Sequence, residues 1–185
     1  MPTQEVLTLM KARRNAAQSA LSFFKEKKPI KSTNNVFDFT STEDAETLYD
    51  YRMNHENTII DTFNDAATTG IGNCDEKGRI CYAALRSNPL MQPPMSNVTL
   101  CTAIDYDHVF VVVADMPLEE ATSVKDLGKS AIIVDGWTED WYFPNLDLLY
   151  TKKHGLGNTP NPRQALVRHN IAKHLFELYT VPVGL

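Results

Sequence analysis

The stretch Thr69 to Leu85, TGIGNCDEKGRICYAAL, decides how the rest of this chain is organised, and Cys74 lies at its centre. Gly70 and Gly72 make a loop that tolerates positive φ, and Asn73 is a favourable residue for capping a helix N-terminus. Acidic residues follow directly, as they do in many first helical turns. The stretch therefore predicts a helix that begins at Cys74.

A cysteine at a helix N-terminus can serve as a nucleophile, because the backbone N–H groups there stabilise a thiolate. Asp75 and Glu76 would oppose part of that stabilisation. The alternative interpretation of Cys74 is a small buried thiol that begins a core helix, since free cysteines are often buried. The residues downstream of Cys74 favour the nucleophile.

The composition indicates one globular domain of 185 residues, of which 43% are hydrophobic and 22% are charged. A formal net charge of −5 argues against nucleic acid or an anionic membrane as the main partner. Three cysteines at irregular spacing favour neither a disulfide framework nor a zinc site, so we expect a reducing compartment and no metal or cofactor. No apolar run is long enough for stable membrane insertion, and the N-terminus lacks a Sec-type signal.

Helical periodicity dominates the first half of the chain. It predicts a basic amphipathic helix over residues 3–27 that packs on the core, and a second helix that begins near Ser41 or Thr42 and closes at residues 68–72. Leu48, Tyr49, Met53, Ile59, Ile60 and Phe63 are expected to face the core from this second helix.

Strands follow a Pro-rich segment at residues 87–97. Apolar and β-branched runs predict strands at 98–104, 108–114 and 129–135, and Asn161 and Pro162 begin a final helix that includes Leu175, Phe176 and Leu178. The chain is therefore expected to be a single α+β domain with a central antiparallel sheet. Its parts are an N-terminal helix and connection (1–40), a core (41–145) and a C-terminal helix (146–185).

His108 begins one predicted strand and Asp135 ends the next. If the two strands pair antiparallel, the start of the first lies beside the end of the second, so the imidazole and the carboxylate become neighbours. A helix N-terminus carrying Cys74 at that end of the sheet would complete a Cys–His–Asp arrangement.

Three motifs resemble those of a known family: GNCDE at 72–76, DHVFVV at 107–112 and IVDGW at 133–137. Papain-like cysteine enzymes of the bacterial effector and toxin type have Gly-Asn-Cys-Gly-Glu, Asp-His-Val-Phe and Val-Asp-Pro-Trp in this order. The resemblance covers residues 66–143. This chain differs at Asp75, where glycine is usual, and at Gly136, where proline is usual.

The resemblance implies a papain-like or transglutaminase-like core, with Cys74 as nucleophile, His108 as general base and acid, and Asp135 as the orienting residue. The implied activity is acyl transfer on a protein substrate, as a protease, deamidase or transglutaminase. A further implication is a bacterial effector that enters a host cell by a non-Sec route and acts on a host protein. The alternative is an inactive papain-like module that binds a host or partner protein.

Other residues complete the candidate site. The Cys74 backbone N–H and the Asn73 amide are candidate oxyanion donors, although Asn73 is equally suited to a plain N-cap role. Trp137 and Trp141 are candidate walls of a substrate cleft, with core packing as the alternative. The remaining histidines, His55, His154, His169 and His174, have no comparable partner pattern.

Overall fold

A computed structural model of the chain describes residues 3–26, 29–34, 40–54 and 58–179. Within these ranges the protein is a mixed α+β fold of six α-helices and one five-stranded antiparallel sheet. The helices are α1 (Gln4–Glu26), α2 (Thr42–Asn54), α3 (Ile59–Thr69), α4 (Cys74–Arg86), α5 (Leu148–His154) and α6 (Pro162–Ile171). The strands are β1 (Asn97–Ala103), β2 (Tyr106–Ala114), β3 (Ile132–Asp135), β4 (Asp140–Tyr142) and β5 (Phe176–Leu178).

The sheet has the strand order β4-β3-β2-β1-β5, so β2 lies at its centre. Alternate residues of β2 face opposite sides of the sheet, as the pleat requires. Val109, Val111 and Val113 pack in the core cluster that includes α1 and α4, whereas Phe110 and Val112 pack in the cluster that includes α6. Because both faces are covered, β2 is apolar along most of its length.

The region between residues 41 and 69 differs from the prediction of one helix. Thr58 caps a separate helix, α3, by accepting a hydrogen bond of 3.1 Å from the Asp61 backbone N–H. Leu48 and Ile59 are buried, as predicted. The other four residues expected in the core are exposed by 37 to 66%, namely Tyr49, Met53, Ile60 and Phe63.

Two short strands were not predicted. β4 follows β3 after a four-residue turn, and β5 pairs with the edge of β1. The prediction that the last helix includes residues 175–178 is wrong, because α6 ends at Ile171 and Phe176 enters the core from the sheet. A three-residue strand pairs too briefly to leave a periodic pattern in the sequence.

Arg13 of α1 is fully buried, although the sequence places it among the polar residues of that helix. Its guanidinium donates to Ser96 Oγ and to the Ser130 carbonyl, and it forms an ion pair of 2.8 Å with Asp115. Burial lowers the pKa of Arg13, while the Asp115 carboxylate opposes that change. This contact ties α1 to the ends of the sheet strands.

Candidate functional site

Cys74 is the first residue of α4, directly after a loop that is held in place by the segment following α1. Gly70 has φ 74° and ends α3, and Lys31 forms a β-bridge with Ile71. Ser32 Oγ donates a 3.0 Å hydrogen bond to the Gly72 carbonyl. The loop therefore presents Cys74 at a defined position, where the residue is 8% exposed.

His108 lies in an irregular part of β2. Thr102 pairs with Val109, but the next residue of β1, Ala103, pairs with Tyr106. Two residues of β2, Asp107 and His108, are therefore extra with respect to β1. Such bulges redirect side chains and are frequent beside functional sites.

Asp135, the last residue of β3, accepts hydrogen bonds at both carboxylate oxygens. Oδ2 lies 3.0 Å from His108 Nε2 and 2.7 Å from Thr138 Oγ1. Oδ1 accepts from the backbone N–H of Trp137 at 2.9 Å and from that of Thr138 at 3.3 Å. Asp135 is thus an orienting partner for the imidazole, and its bond to Nε2 leaves Nδ1 for another group.

Cys74 is the second residue, beside Asp135, that interacts with the His108 ring. Burial lowers the pKa of His108, but the Asp135 carboxylate raises it, and the hydrogen bond and charge interaction with Cys74 raise it further. The result is a pKa raised to about 10. Burial raises the pKa of Asp135, whereas His108 and Thr138 lower it, and the net direction is down. The structure therefore brings Cys74, His108 and Asp135 together.

The two acids in the first turn of α4 each have an arginine partner. Asp75 accepts a hydrogen bond of 2.9 Å from Arg79 Nε, one turn along the helix. Glu76 forms a two-pronged ion pair with Arg52 of α2, at 2.7 and 2.9 Å. Because each carboxylate is paired, its charge opposes a Cys74 thiolate less than the sequence alone suggests.

The backbone amide and the side-chain amide of Asn73 both form hydrogen bonds. Its backbone N–H donates to Glu76 Oε2 at 2.8 Å, and its side-chain Nδ2 donates to Thr33 Oγ1 at 3.0 Å. Thr33 N–H in turn donates to Asn73 Oδ1. The structure thus places Asn73 in the support of the loop. The Cys74 N–H is one of the first donors of α4, which have no acceptor inside the helix.

The two tryptophans lie in different environments. The Trp137 ring packs edge-on to His108 with centroids 5.5 Å apart, and its Nε1 donates to Asn34 Oδ1 at 2.9 Å. Trp141 is buried in the core cluster shared with α1 and α4. The prediction that Trp141 walls the cleft is therefore corrected, because β4 directs its side chain into the core.

A cleft of about 520 Å³ opens beside Cys74. Its lining is mostly polar and includes Asn34, Arg52, Asn73, Asp75, Arg79, Thr102, Asp107, Val109 and Tyr179. Arg79 also donates to Tyr179 Oη at 2.8 Å, which closes one side of the cleft with a residue from the end of β5. Cys74 is thus one of the residues that line an open cleft.

The other two thiols are fully buried and lie away from this cleft. Burial raises the pKa of Cys81, and it raises the pKa of Cys101 to about 12. These are properties of unreactive thiols. The three cysteines therefore differ in environment, and Cys74 alone among them has a histidine neighbour.

Two of the remaining histidines pack on tyrosine rings. His154 packs on Tyr150, and His174 stacks on Tyr106, whose ring also lies 5.6 Å from His108. His169 is exposed on α6, and His55 lies outside the described residues. In the described ranges, no group of three or more acidic, histidine or cysteine side chains could hold a metal ion.

Two residues of the site were missed by sequence reasoning. Thr138 stands three residues after Asp135, a spacing typical of Asp side chains that bond nearby backbone and hydroxyl groups, and this signal could have found it. Arg52 has no such signal, because its contact with Glu76 joins two helices that are far apart in sequence.

Comparisons of the chain with protein-family models, with curated proteins and with solved structures found no match. Among the described helices, none combines the length and the apolar character needed to cross a membrane.

Proposed function

We propose that this chain is a papain-like cysteine enzyme that transfers an acyl group from a protein substrate through Cys74, His108 and Asp135. The observation that carries the proposal is the contact chain from Cys74 to His108 and from His108 Nε2 to Asp135 Oδ2, the latter 3.0 Å long. A nucleophile, a base and an orienting group in contact are the components of covalent acyl transfer. The packing of α4 on the central strands supports a papain-like core.

In the first step, the Cys74 thiol gives its proton to His108 Nδ1, and the sulfur attacks the carbonyl carbon of a carboxamide or peptide. The raised pKa of His108 favours the protonated ring, and an adjacent imidazolium stabilises the thiolate. Asp135 fixes the ring and balances its charge. The tetrahedral oxyanion accepts a hydrogen bond from the Cys74 N–H at the start of α4.

In the second step, the tetrahedral intermediate collapses as the carbon–nitrogen bond breaks, and the leaving nitrogen takes the proton from His108. A thioester on Cys74 remains. Water or an amine then attacks the thioester while His108 accepts its proton, and collapse returns the proton to the sulfur. Water as acceptor gives hydrolysis or deamidation, whereas an amine gives transamidation.

The same chemistry serves a protease, a deamidase and a transglutaminase, which differ in the acceptor and in the shape of the cleft. The polar lining beside Cys74 suits a hydrogen-bonding substrate group. Action on a host protein, in a reducing cytosol reached by a non-Sec route, belongs to the proposal through the resemblance to bacterial effectors.

The test is site-resolved alkylation by iodoacetamide between pH 5 and pH 9, followed by mass spectrometry. In wild-type protein, we expect Cys74 to react well below pH 7 while Cys81 and Cys101 stay unmodified. The variant His108→Ala should lose the low-pH reactivity of Cys74. The variant His154→Ala is the matched control, because His154 contacts only Tyr150 among the described rings.

If alkylation of Cys74 has the pH dependence of an ordinary thiol in both wild type and His108→Ala, the result contradicts the proposed enzyme activity. It then favours the inactive binding module. If Cys74 is activated, incubation with glutamine-containing and peptide amide donors should produce a mass increase at Cys74 that hydroxylamine removes. That result identifies the thioester and the class of donor together.

A further inference from the structure

A second cavity lies beside Trp137. It has a volume of about 300 Å³ and lies between the segment at residues 29–31, the turn after β3 and the N-terminal end of α6. Its polar lining is Lys31, Lys77, Thr138, Glu139, Asn161, Arg163 and Gln164. We call it the Arg163 cavity. Trp137 lines this cavity and donates through Nε1 to Asn34 Oδ1, which lines the cleft of Cys74, so one hydrogen bond links the two linings.

Arg163 is held in place by a ring rather than by an acid. Its guanidinium lies 3.9 Å above the Trp137 ring centroid, and Nη2 donates to the Trp137 carbonyl at 3.2 Å. Nε is buried and has no hydrogen-bond partner within the described part of the chain. Arg163 is thus positioned by its neighbours, and no carboxylate of the described residues forms an ion pair with it.

Four other arginines in the described ranges have a carboxylate partner. Each forms an ion pair with a carboxylate at 2.6 to 2.9 Å: Arg13 with Asp115, Arg52 with Glu76, Arg79 with Asp75 and Arg168 with Asp140. Half-buried Arg14 also lacks a carboxylate partner, but its Nε donates to Asn15 Oδ1 and its Nη1 to the Gly155 carbonyl. Arg163 differs from Arg14 because its Nε is buried without a hydrogen-bond partner among the described residues. A guanidinium fork matches a carboxylate, which it binds through two parallel hydrogen bonds.

The other charges around the cavity favour a ligand with one negative charge. Lys31 is exposed at its rim and adds a second cation. Lys77 and Glu139 also line it, and both already interact with other groups. The Glu139 carboxylate opposes a dianion such as phosphate more strongly than it opposes a carboxylate.

The position of the cavity connects it to the reaction. Trp137 contacts both groups: its ring centroid lies 5.5 Å from that of His108 and 3.9 Å from the Arg163 guanidinium, so one side chain links the imidazole to the guanidinium. We propose that the Arg163 cavity binds a carboxylate of the substrate, a side-chain or C-terminal carboxylate next to the amide that Cys74 attacks. This inference rests on the proposed function for its role, although the carboxylate site itself can be tested without catalysis.

The experiment measures binding to the Cys74→Ala protein, so that no chemistry occurs. The readout is the pair of indole N–H signals in a nitrogen-15 NMR spectrum, with Trp137 assigned by Trp137→Phe and buried Trp141 as the internal reference. The probes are N-acetyl-glutamate amide, N-acetyl-glutamine acid and N-acetyl-glutamine amide. The first carries a side-chain carboxylate, the second a terminal carboxylate, and the third is neutral.

We expect one or both anionic probes to shift the Trp137 signal with saturation, and the neutral probe to leave it in place. The anionic probe that binds identifies the source of the carboxylate. Arg163→Gln should weaken that binding by about tenfold or more, since a charge-assisted pair is lost. Arg163→Lys, which keeps the charge but loses the guanidinium fork, should bind the probe with intermediate affinity. Arg86→Gln, which changes an exposed arginine over Tyr82, should leave the affinity unchanged.

Equal shifts with the neutral probe, or anion binding that survives Arg163→Gln, would overturn the proposal. So would the absence of any shift with both anions. Because the probes are read on Cys74→Ala protein, a failure here leaves the alkylation result at Cys74 untouched. Conversely, an unreactive Cys74 would contradict the proposed enzyme activity, and binding of a carboxylate at Arg163 could still be measured.

Discussion

Thr138 Oγ1 donates a 2.7 Å hydrogen bond to the same oxygen of Asp135, Oδ2, that lies 3.0 Å from His108 Nε2. One carboxylate oxygen thus serves the imidazole and a hydroxyl at once, and the backbone N–H groups of Trp137 and Thr138 hold the other oxygen. The hydroxyl and the two backbone N–H groups therefore fix the orientation of the carboxylate independently of His108. Thr138 is a positioning residue under the proposed function.

Replacing Thr138 by valine keeps the shape of the side chain and removes the hydroxyl donor. We expect the low-pH alkylation rate of Cys74 to fall by about tenfold, because the carboxylate that orients His108 loses one of its hydrogen bonds. The rate is read from the peptide that contains Cys74. Thr122→Val is the control, since its hydroxyl bonds only the carbonyl of Glu119. An unchanged rate in Thr138→Val would mean that the backbone donors suffice.

The pH dependence of stability should reveal the His108–Asp135 pair. Because the pKa of His108 is raised to about 10, its contribution is fully present below the unfolded value of about 6.5 and is lost as the pH rises to 10. Urea unfolding of wild type and His108→Gln at pH 6, 8 and 10 should therefore show a difference that shrinks as the pH increases. Asp135, with its lowered pKa, contributes above its unfolded value of about 4, and that contribution is lost on acidification. A difference that is constant with pH would show that the pair is not charged in the folded protein.

The close approach of α4 to the sheet depends on Gly136. A Cβ at this position would lie 2.7 Å from the Lys77 carbonyl oxygen and 3.0 Å from Cys81 Sγ. Gly136→Ala should reduce the free energy of unfolding by about 1–3 kcal/mol, because backbone must shift to admit the methyl group. Gly128→Ala, where the nearest atom is 3.7 Å away, should change it by less than about 0.5 kcal/mol. Thermal or urea denaturation compares the two, and equal effects would contradict the steric argument.

The ion pair between Asp75 and Arg79 should protect the reactivity of Cys74. Arg79→Gln leaves the Asp75 carboxylate without its partner beside the thiol, so alkylation of Cys74 at pH 6 should slow by several-fold. Asp75→Asn should not slow it, and the double variant should resemble Asp75→Asn. This double-mutant cycle separates the charge from the packing of Arg79. Slowing that persists in the double variant would assign the effect to lost contacts with Tyr179.

The contact between His108 and Asp135 illustrates what could be predicted from the sequence. A strand start and a strand end become neighbours whenever two strands pair antiparallel, and both strands are marked by long apolar runs. The start of α4 can also be predicted from nearby residues, because it depends on a glycine loop and acidic residues near Cys74. Local signals of this kind predict that Cys74, His108 and Asp135 lie near one another.

Other features depend on contacts that no local pattern records. The burial of Arg13 results from acceptors at Ser96, Ser130 and Asp115, which only the folded chain brings together. The environment of Trp141 depends on the pairing of β4, a strand of three residues. Its aromatic neighbours in sequence do not distinguish a core position from a cleft wall. The Arg163 cavity likewise joins three segments that are distant along the chain.

The bulge in β2 separates the backbone pairing of the strand from the placement of the site side chains. Since the ladder between β1 and β2 resumes at Tyr106, neither Asp107 nor His108 is needed to complete the pairing of the hairpin. Substitutions at these two positions can therefore change the chemistry of the site while the pairing of the sheet persists. Loss of the imidazole would therefore affect its partner Asp135 and leave the hydrogen bonds between β1 and β2 in place.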